Sequence, residues 1–179
     1  INELDATGDG SVQLKGDDVI TDVKFRTASE EFRALLSMIP YAYTKDFKDV
    51  KTSGKAGFNG WVKGIYNERK NQMPAFDIHV KIDKGYVKYP GLAQDIKDIN
   101  ADIQLKASRA DYKDMSANIP LLNMKIGGDP ISGSLVANNL TGDQKLEGHL
   151  KGNLNLTNIA ASLPLSDVDV LKGHLHCDV

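Results

Sequence analysis

Polar and apolar residues alternate along most of this chain. In Phe76-Asp77-Ile78-His79-Val80-Lys81-Ile82-Asp83 every even position is apolar and every odd one polar. The same period of two runs through Ile99-Asn100-Ala101-Asp102-Ile103-Gln104-Leu105-Lys106-Ala107 and through Leu146-Glu147-Gly148-His149-Leu150-Lys151-Gly152-Asn153-Leu154-Asn155-Leu156. Successive side chains of a strand point to opposite sides, so each segment has one apolar and one wetted face. Shorter versions occur at Val12 and Leu14, at Val19, Val23 and Phe25, at Val87 and Tyr89, at Leu122, Met124 and Ile126, at Ile131, Leu135 and Ala137, and at Leu171, Leu175 and Cys177. Strands covered on both sides, as in parallel sheets, read as unbroken apolar runs, so one-sided strands indicate antiparallel pairing. The predicted fold is mainly β, an amphipathic antiparallel sheet of eight or nine strands that either curls into a trough or closes as a sandwich.

Turn residues separate these segments. Gly8-Asp9-Gly10, Gly16-Asp17-Asp18, Asp83-Lys84-Gly85, Gly127-Gly128-Asp129-Pro130 and the stretch from Asn138 to Asp143 combine residues that accept positive φ or preset it. Polar loops are predicted at 67–72 and 109–114. One helix is predicted at about 29–39: Ser29 is a good N-cap, Glu30 and Glu31 suit the positive end of the helix dipole, and Phe32, Leu35, Leu36 and Ile39 form one stripe before Pro40. A shorter helix is predicted at about 157–163, and a single turn at 92–96. Each of the two helices follows an alternating strand and ends at a proline. The chain therefore reads as a single domain over 1–179, with degenerate repeat units at about 1–66 and 140–179 flanking a central β region at 73–137. Both ends look cut, so a fragment of a larger repeat-containing protein is expected.

Composition narrows the chemistry. The chain has 179 residues, 41% apolar and 26% charged, with a formal charge of −2. That balance suits a folded chain and gives no basic excess with which to displace counterions from nucleic acid. The single cysteine rules out an intrachain disulfide. No apolar run approaches the roughly 18 residues a spanning helix needs. His79, His149, His174 and His176 fall on wetted strand faces; His174 and His176 lie roughly 7 Å apart, so a metal shared with His149 is conceivable, though solvated histidines are the expectation. Cys177 alternates onto the apolar face, where a thiol is packed and inert. Asp17-Asp18 and Glu30-Glu31 are explained by a turn and a helix start. The glycine clusters Gly8-Asp9-Gly10 and Gly57-Phe58-Asn59-Gly60 open no helix and so form no phosphate cradle. Trp61, Tyr41, Tyr43, Tyr66, Tyr86 and Tyr89 are candidates for a carbohydrate or interfacial platform, against the commoner role of filling cores and sheet edges. No catalytic residue, metal site or cofactor is expected.

Several segments resemble a known family. The run from Met73 to Leu92, followed by Asp98-Ile99-Asn100-Ala101-Asp102-Ile103, Gly127-Gly128-Asp129-Pro130-Ile131-Ser132-Gly133 and the alternating stretch from Leu146 to Leu156, resembles the AsmA family as found in Bacteroidetes-type bacteria. The resemblance covers most of residues 50–179. It implies a large protein anchored in the inner membrane, with its bulk in the periplasm and a role in outer-membrane biogenesis. The wider superfamily carries lipids along a β-groove. It supplies no catalytic residues, and the family's N-terminal anchor has no counterpart in this sequence, so membrane contact is expected only through parts outside it.

The apolar face itself is the remaining signal. A helix covers a strip of about 10–12 Å and strands lie about 4.8 Å apart, so two short helices hide roughly four strands. Phe76, Ile78, Val80, Ile82, Ile103, Leu105, Leu146, Leu150 and Leu154 are the candidate residues of a lipid groove or core. The expected function is non-catalytic handling of phospholipid or another envelope lipid, with adjacent repeats of the same protein as partners. The alternative is a scaffolding or adhesion module that pairs through sheet edges.

Overall fold

The computed structural model describes residues 5–27, 32, 50–162 and 172–178. They form one antiparallel sheet of nine strands, arranged in chain order. The strands are β1 (Ala6–Lys15), β2 (Asp18–Thr27), β3 (Lys51–Tyr66), β4 (Ala75–Lys88), β5 (Ile96–Ala107), β6 (Ser116–Ile126), β7 (Asp129–Asn138), β8 (Lys145–Asn155) and β9 (His174–Asp178). One short helix, α1 (Leu156–Ala160), joins β8 to β9. The sheet is not closed: β1 and β9 do not pair with each other. The predicted helix at 29–39 lies outside the described residues except for Phe32, and Tyr41 and Tyr43 lie outside them too.

Two predicted turns are strand instead. Gly8-Asp9-Gly10 lies within β1, where Gly8 pairs with Phe25 and Gly10 with Val23. Asp83-Lys84-Gly85 lies within β4, which runs on to Lys88 through irregular registers against both β3 and β5. A bulge absorbs the extra residues and bends the strand without ending it. Pro120 sits at a comparable irregularity between Ile119 and Leu122, where a residue without an N–H is tolerated inside a sheet. The predicted turn at 92–96 is non-helical, with Ile96 already in β5.

Register turns local alternation into a continuous surface. Gly8, Phe25, Gly60, Ile78, Leu105, Ala117, Ala137 and Leu146 are successive cross-strand partners from β1 to β8. A second row runs Ala56, Ile82, Ala101, Leu122, Gly133 and Leu150 from β3 to β8. The residues one step along the chain form the opposite kind of row: Thr7, Arg26, Asn59, His79, Gln104, Asn118, Val136 and Glu147. A slip of one residue in any strand would exchange the two faces, so the register is held by the whole apolar surface acting together.

The sheet lacks a second layer among the described residues. Substantial packing joins only sheet neighbours, plus α1 with β8. Much of the apolar face is only half-buried: Phe25, Phe76, Ile78, Val80 and Leu105 are all partly exposed, and Leu146 is 65% exposed. The packed clusters lie at one end of the sheet, while Ala107 and Ala137 are buried at the other. In the clusters, Phe32 packs with Ala56 and Val87, and Ile126, Ile131 and Leu154 pack with Ile159 of α1; Ile96 touches both groups.

Candidate functional site

The candidate site is the apolar sheet face between its two covered ends. All nine residues singled out in the sequence lie on that face. Ile78 and Leu105 are direct partners; Val80 faces Phe58 and Ile103, and Ile82 faces Ala56 and Ala101. Phe76 faces Val62 and Ala107. Leu146 and Leu150 are exposed, at 65% and 39%, whereas Leu154 is buried at 5% under α1. Leu154 thus belongs to the sealed end, and the other eight line or border the open band.

The same surface includes Phe25, Leu122 and Leu135, which alternation also marked, and Phe58 and Val62, which it did not. Phe25 and Phe58 meet edge to face at 5.7 Å between ring centroids. Val62, Leu122 and Leu135 continue the surface on β3, β6 and β7. Glycines interleave with these residues: Gly60 and Gly133 lie opposite large aliphatic side chains, so neighbouring strands supply the bulk that they lack.

Polar contacts fix both ends. At the sealed end, Asn155 caps α1 by accepting from the Thr157 N–H at 3.0 Å. Asp129 accepts from Asn158 Nδ2 at 3.0 Å and from the Asn155 N–H at 2.8 Å, which ties α1 to the start of β7. At the opposite end, Tyr112 lies edge-on to Phe76 at 5.3 Å and donates its hydroxyl to the Pro74 carbonyl at 2.9 Å. Partial burial raises the Tyr112 phenol above its ordinary pKa. Arg69 pairs with Asp17 at 2.8 Å and Lys70 with Asp18 at 3.3 Å, joining the β1–β2 and β3–β4 turns.

The carboxylates of this frame are held in their charged form. The Arg109 guanidinium, 3.0 Å away, lowers Asp111 to about 2. Asp18 is lowered by the Asn67 amide and then by Lys70, Asp98 by Lys125, Asp114 by the Ser108 hydroxyl, and Asp129 by Asn158. Folded-state values below those of the unfolded chain mean that their stabilisation is complete above about pH 4 and is lost as pH falls through the lowered values. The unfolding midpoint in urea should therefore be flat from pH 7 to about 4.5 and drop between about 4 and 2. A flat profile down to pH 2 would show that these contacts do not hold the frame together.

The histidines remain on the wetted face. His79 stands 3.2 Å from Asp77, and His149 stands 3.6 Å from Asp178. His174 and His176 pair with Asn155 and Asn153. No group of three His, Cys, Asp or Glu side chains among the described residues gathers as metal ligands. Cys177 is half-buried on the apolar face opposite Gly152, and its thiol approaches the Gly152 carbonyl at 3.6 Å. The aromatic residues do not form one platform: Tyr66 shares the apolar face with Val19, whereas Trp61 lies on the wetted face between Lys24 and Asp77.

Compared with known protein families, with curated proteins and with solved structures, the chain gives no match. No helix among the described residues is long and apolar enough to cross a membrane. The functional reading accordingly rests on the two-faced sheet and on the resemblance carried by the sequence.

Proposed function

We propose that this chain is a non-catalytic segment of an AsmA-like protein of the periplasm, anchored in the inner membrane through other parts. In this reading it holds or conducts lipid acyl chains during outer-membrane biogenesis. The observation that carries the reading is the apolar row from Gly8 to Leu146, which crosses eight strands without a polar side chain and has no second layer over it among the described residues. Contiguous apolar surface beyond a few hundred Å² normally marks a binding site. Each methylene laid on it gains about 0.8 kcal/mol, before the cost of ordering the chain. The affinity is spread over many weak contacts, which suits a surface that passes an acyl chain along.

Protein purified without detergent and extracted into organic solvent should release phospholipid or another envelope lipid in near-stoichiometric amount. Repeated lipid-free preparations that also take up nothing from phospholipid vesicles would contradict the proposal. The second reading, pairing through sheet edges, is supported by β1, whose ten residues are all exposed and whose outer edge has no partner strand among the described residues. It expects concentration-dependent self-association of lipid-free protein. Adjacent repeats that add strands at this edge would lengthen the same apolar face.

A further inference from the structure

The wetted face carries a feature that lipid holding does not use. Near the β1 side of the sheet, a cleft of about 650 Å³ is lined by Lys24, Arg26, Asn59, Trp61, Asp77 and His79, together with β1. Side chains on this face are otherwise polar in this region, yet Trp61 lines the cleft and stands 37% exposed. Its indole N–H donates to no group among the described residues. Lys24, Asn59 and Asp9, the last from β1, likewise make no side-chain hydrogen bond there.

Other groups in the cleft are fixed. Gln104 Nε2 donates to both oxygens of Asp77, at 3.0 and 3.1 Å, and His79 approaches the same carboxylate at 3.2 Å. Arg26 is steadied from β1, its Nε donating to Thr7 Oγ1 at 3.3 Å. The cleft therefore offers an oriented carboxylate, an oriented guanidinium, free amide and ammonium groups, and a flat aromatic surface. Its charges balance, Lys24 and Arg26 against Asp9 and Asp77, so neither a polyanion nor a polycation is favoured.

We infer that this cleft is a saccharide-binding site, with Trp61 stacking on the C–H face of a sugar ring and Asp77, Asn59 and Arg26 exchanging hydrogen bonds with its hydroxyls. A sugar combines one apolar face with hydroxyls that both donate and accept, and the cleft presents the complement of each. A ligand of uniform charge would leave half of these groups unmatched. The volume lies within the range of small-ligand sites and suits a short oligosaccharide. This inference is independent of lipid holding, since the two surfaces lie on opposite sides of the sheet.

Trp61 is the only tryptophan in the chain, so fluorescence excited selectively at the red edge of tryptophan absorption reports on this cleft without the six tyrosines. Titration with neutral cellohexaose, hexa-N-acetylchitohexaose and maltohexaose should give a saturable change with at least one of them. By calorimetry, Trp61→Ala should weaken that binding at least about tenfold and Asp77→Asn by a smaller factor, with circular dichroism unchanged. Three outcomes would overturn the inference. One is no saturable response to any of these sugars; another is binding that Trp61→Ala leaves intact. The third is a fluorescence change produced by phosphatidylcholine vesicles and not by sugars, which would make Trp61 a membrane contact.

Discussion

Leu135→Glu is expected to reduce the phospholipid recovered with the purified protein roughly tenfold, whereas Val136→Glu leaves it unchanged. The two residues are neighbours on β7 and are almost equally exposed, at 36% and 38%. They differ in which face they occupy. Leu135 pairs with Ile119 and Gly148 on the apolar side, and Val136 pairs with Asn118 and Glu147 on the wetted side. Placing a carboxylate among acyl chains costs its hydration without supplying a partner, so the penalty falls on the lipid-bound state. Each change costs a comparable amount of stability, about 1 kcal/mol, Leu135→Glu through lost apolar contact and Val136→Glu through a like charge directly opposite Glu147, so lipid content is compared on folded protein. Equal loss of lipid from both variants would mean that binding does not distinguish the faces. Mass spectrometry of extracted lipid, normalised to protein, makes the comparison.

The second large effect is on the fold. Gly54→Ala is expected to cost about 2–4 kcal/mol, measured by urea denaturation. Gly54 sits at the irregularity between Ser53 and Lys55, with φ at +105°, a conformation that L side chains rarely adopt. A Cβ there would also lie 2.4 Å from the Lys84 carbonyl oxygen and 2.8 Å from the Gly85 Cα, both backbone atoms of β4. The bulge cannot absorb a methyl group without separating β3 from β4. Two residues on, Ala56 is part of the cluster around Phe32 and Val87, so the strain is transmitted to the sealed end. Gly142 is the internal control. A Cβ at Gly142 would meet nothing within 4 Å, and Gly142→Ala should change stability by less than about 0.5 kcal/mol. If Gly54→Ala proved as mild as Gly142→Ala, the bulge would not be a fixed feature of β3.

Alternation made the sheet legible. The even positions from Phe76 to Ile82 and the odd ones from Ile99 to Leu105 do share one face, and His79, His149, His174 and His176 do point to the other side. Antiparallel pairing followed from the same pattern, because a strand covered on one side only alternates apolar with polar residues, whereas doubly covered parallel strands read as unbroken apolar runs. What alternation could not supply was register. The row from Gly8 to Leu146 depends on which residue of each strand meets which residue of the next, and that is decided by the summed packing of all nine strands. Glycines hid part of it: Gly60 and Gly133 carry no apolar signal, yet they complete rows whose bulk comes from Ile78 and Leu150. Bulges misled in the other direction. Gly8-Asp9-Gly10 and Asp83-Lys84-Gly85 have turn chemistry, but neighbouring strands on both sides keep those segments extended. Trp61 was visible as a candidate platform among six aromatic residues. Alternation along β3 already separated it from Tyr66, but only the register placed it beside Asp77.

The two-faced surface has a direct readout in spin labels carried by single cysteines in a Cys177→Ser background. Labels at positions 78, 105 and 146 sample the apolar row; labels at 79, 104 and 136 sample its polar counterpart. In the presence of phospholipid, the first three should become accessible to oxygen and shielded from a water-soluble nickel chelate, while the second three keep their exposure to the chelate. The same accessibility in both rows, or lipid contact on the row containing His79 and Gln104, would contradict a sheet that holds acyl chains on one side.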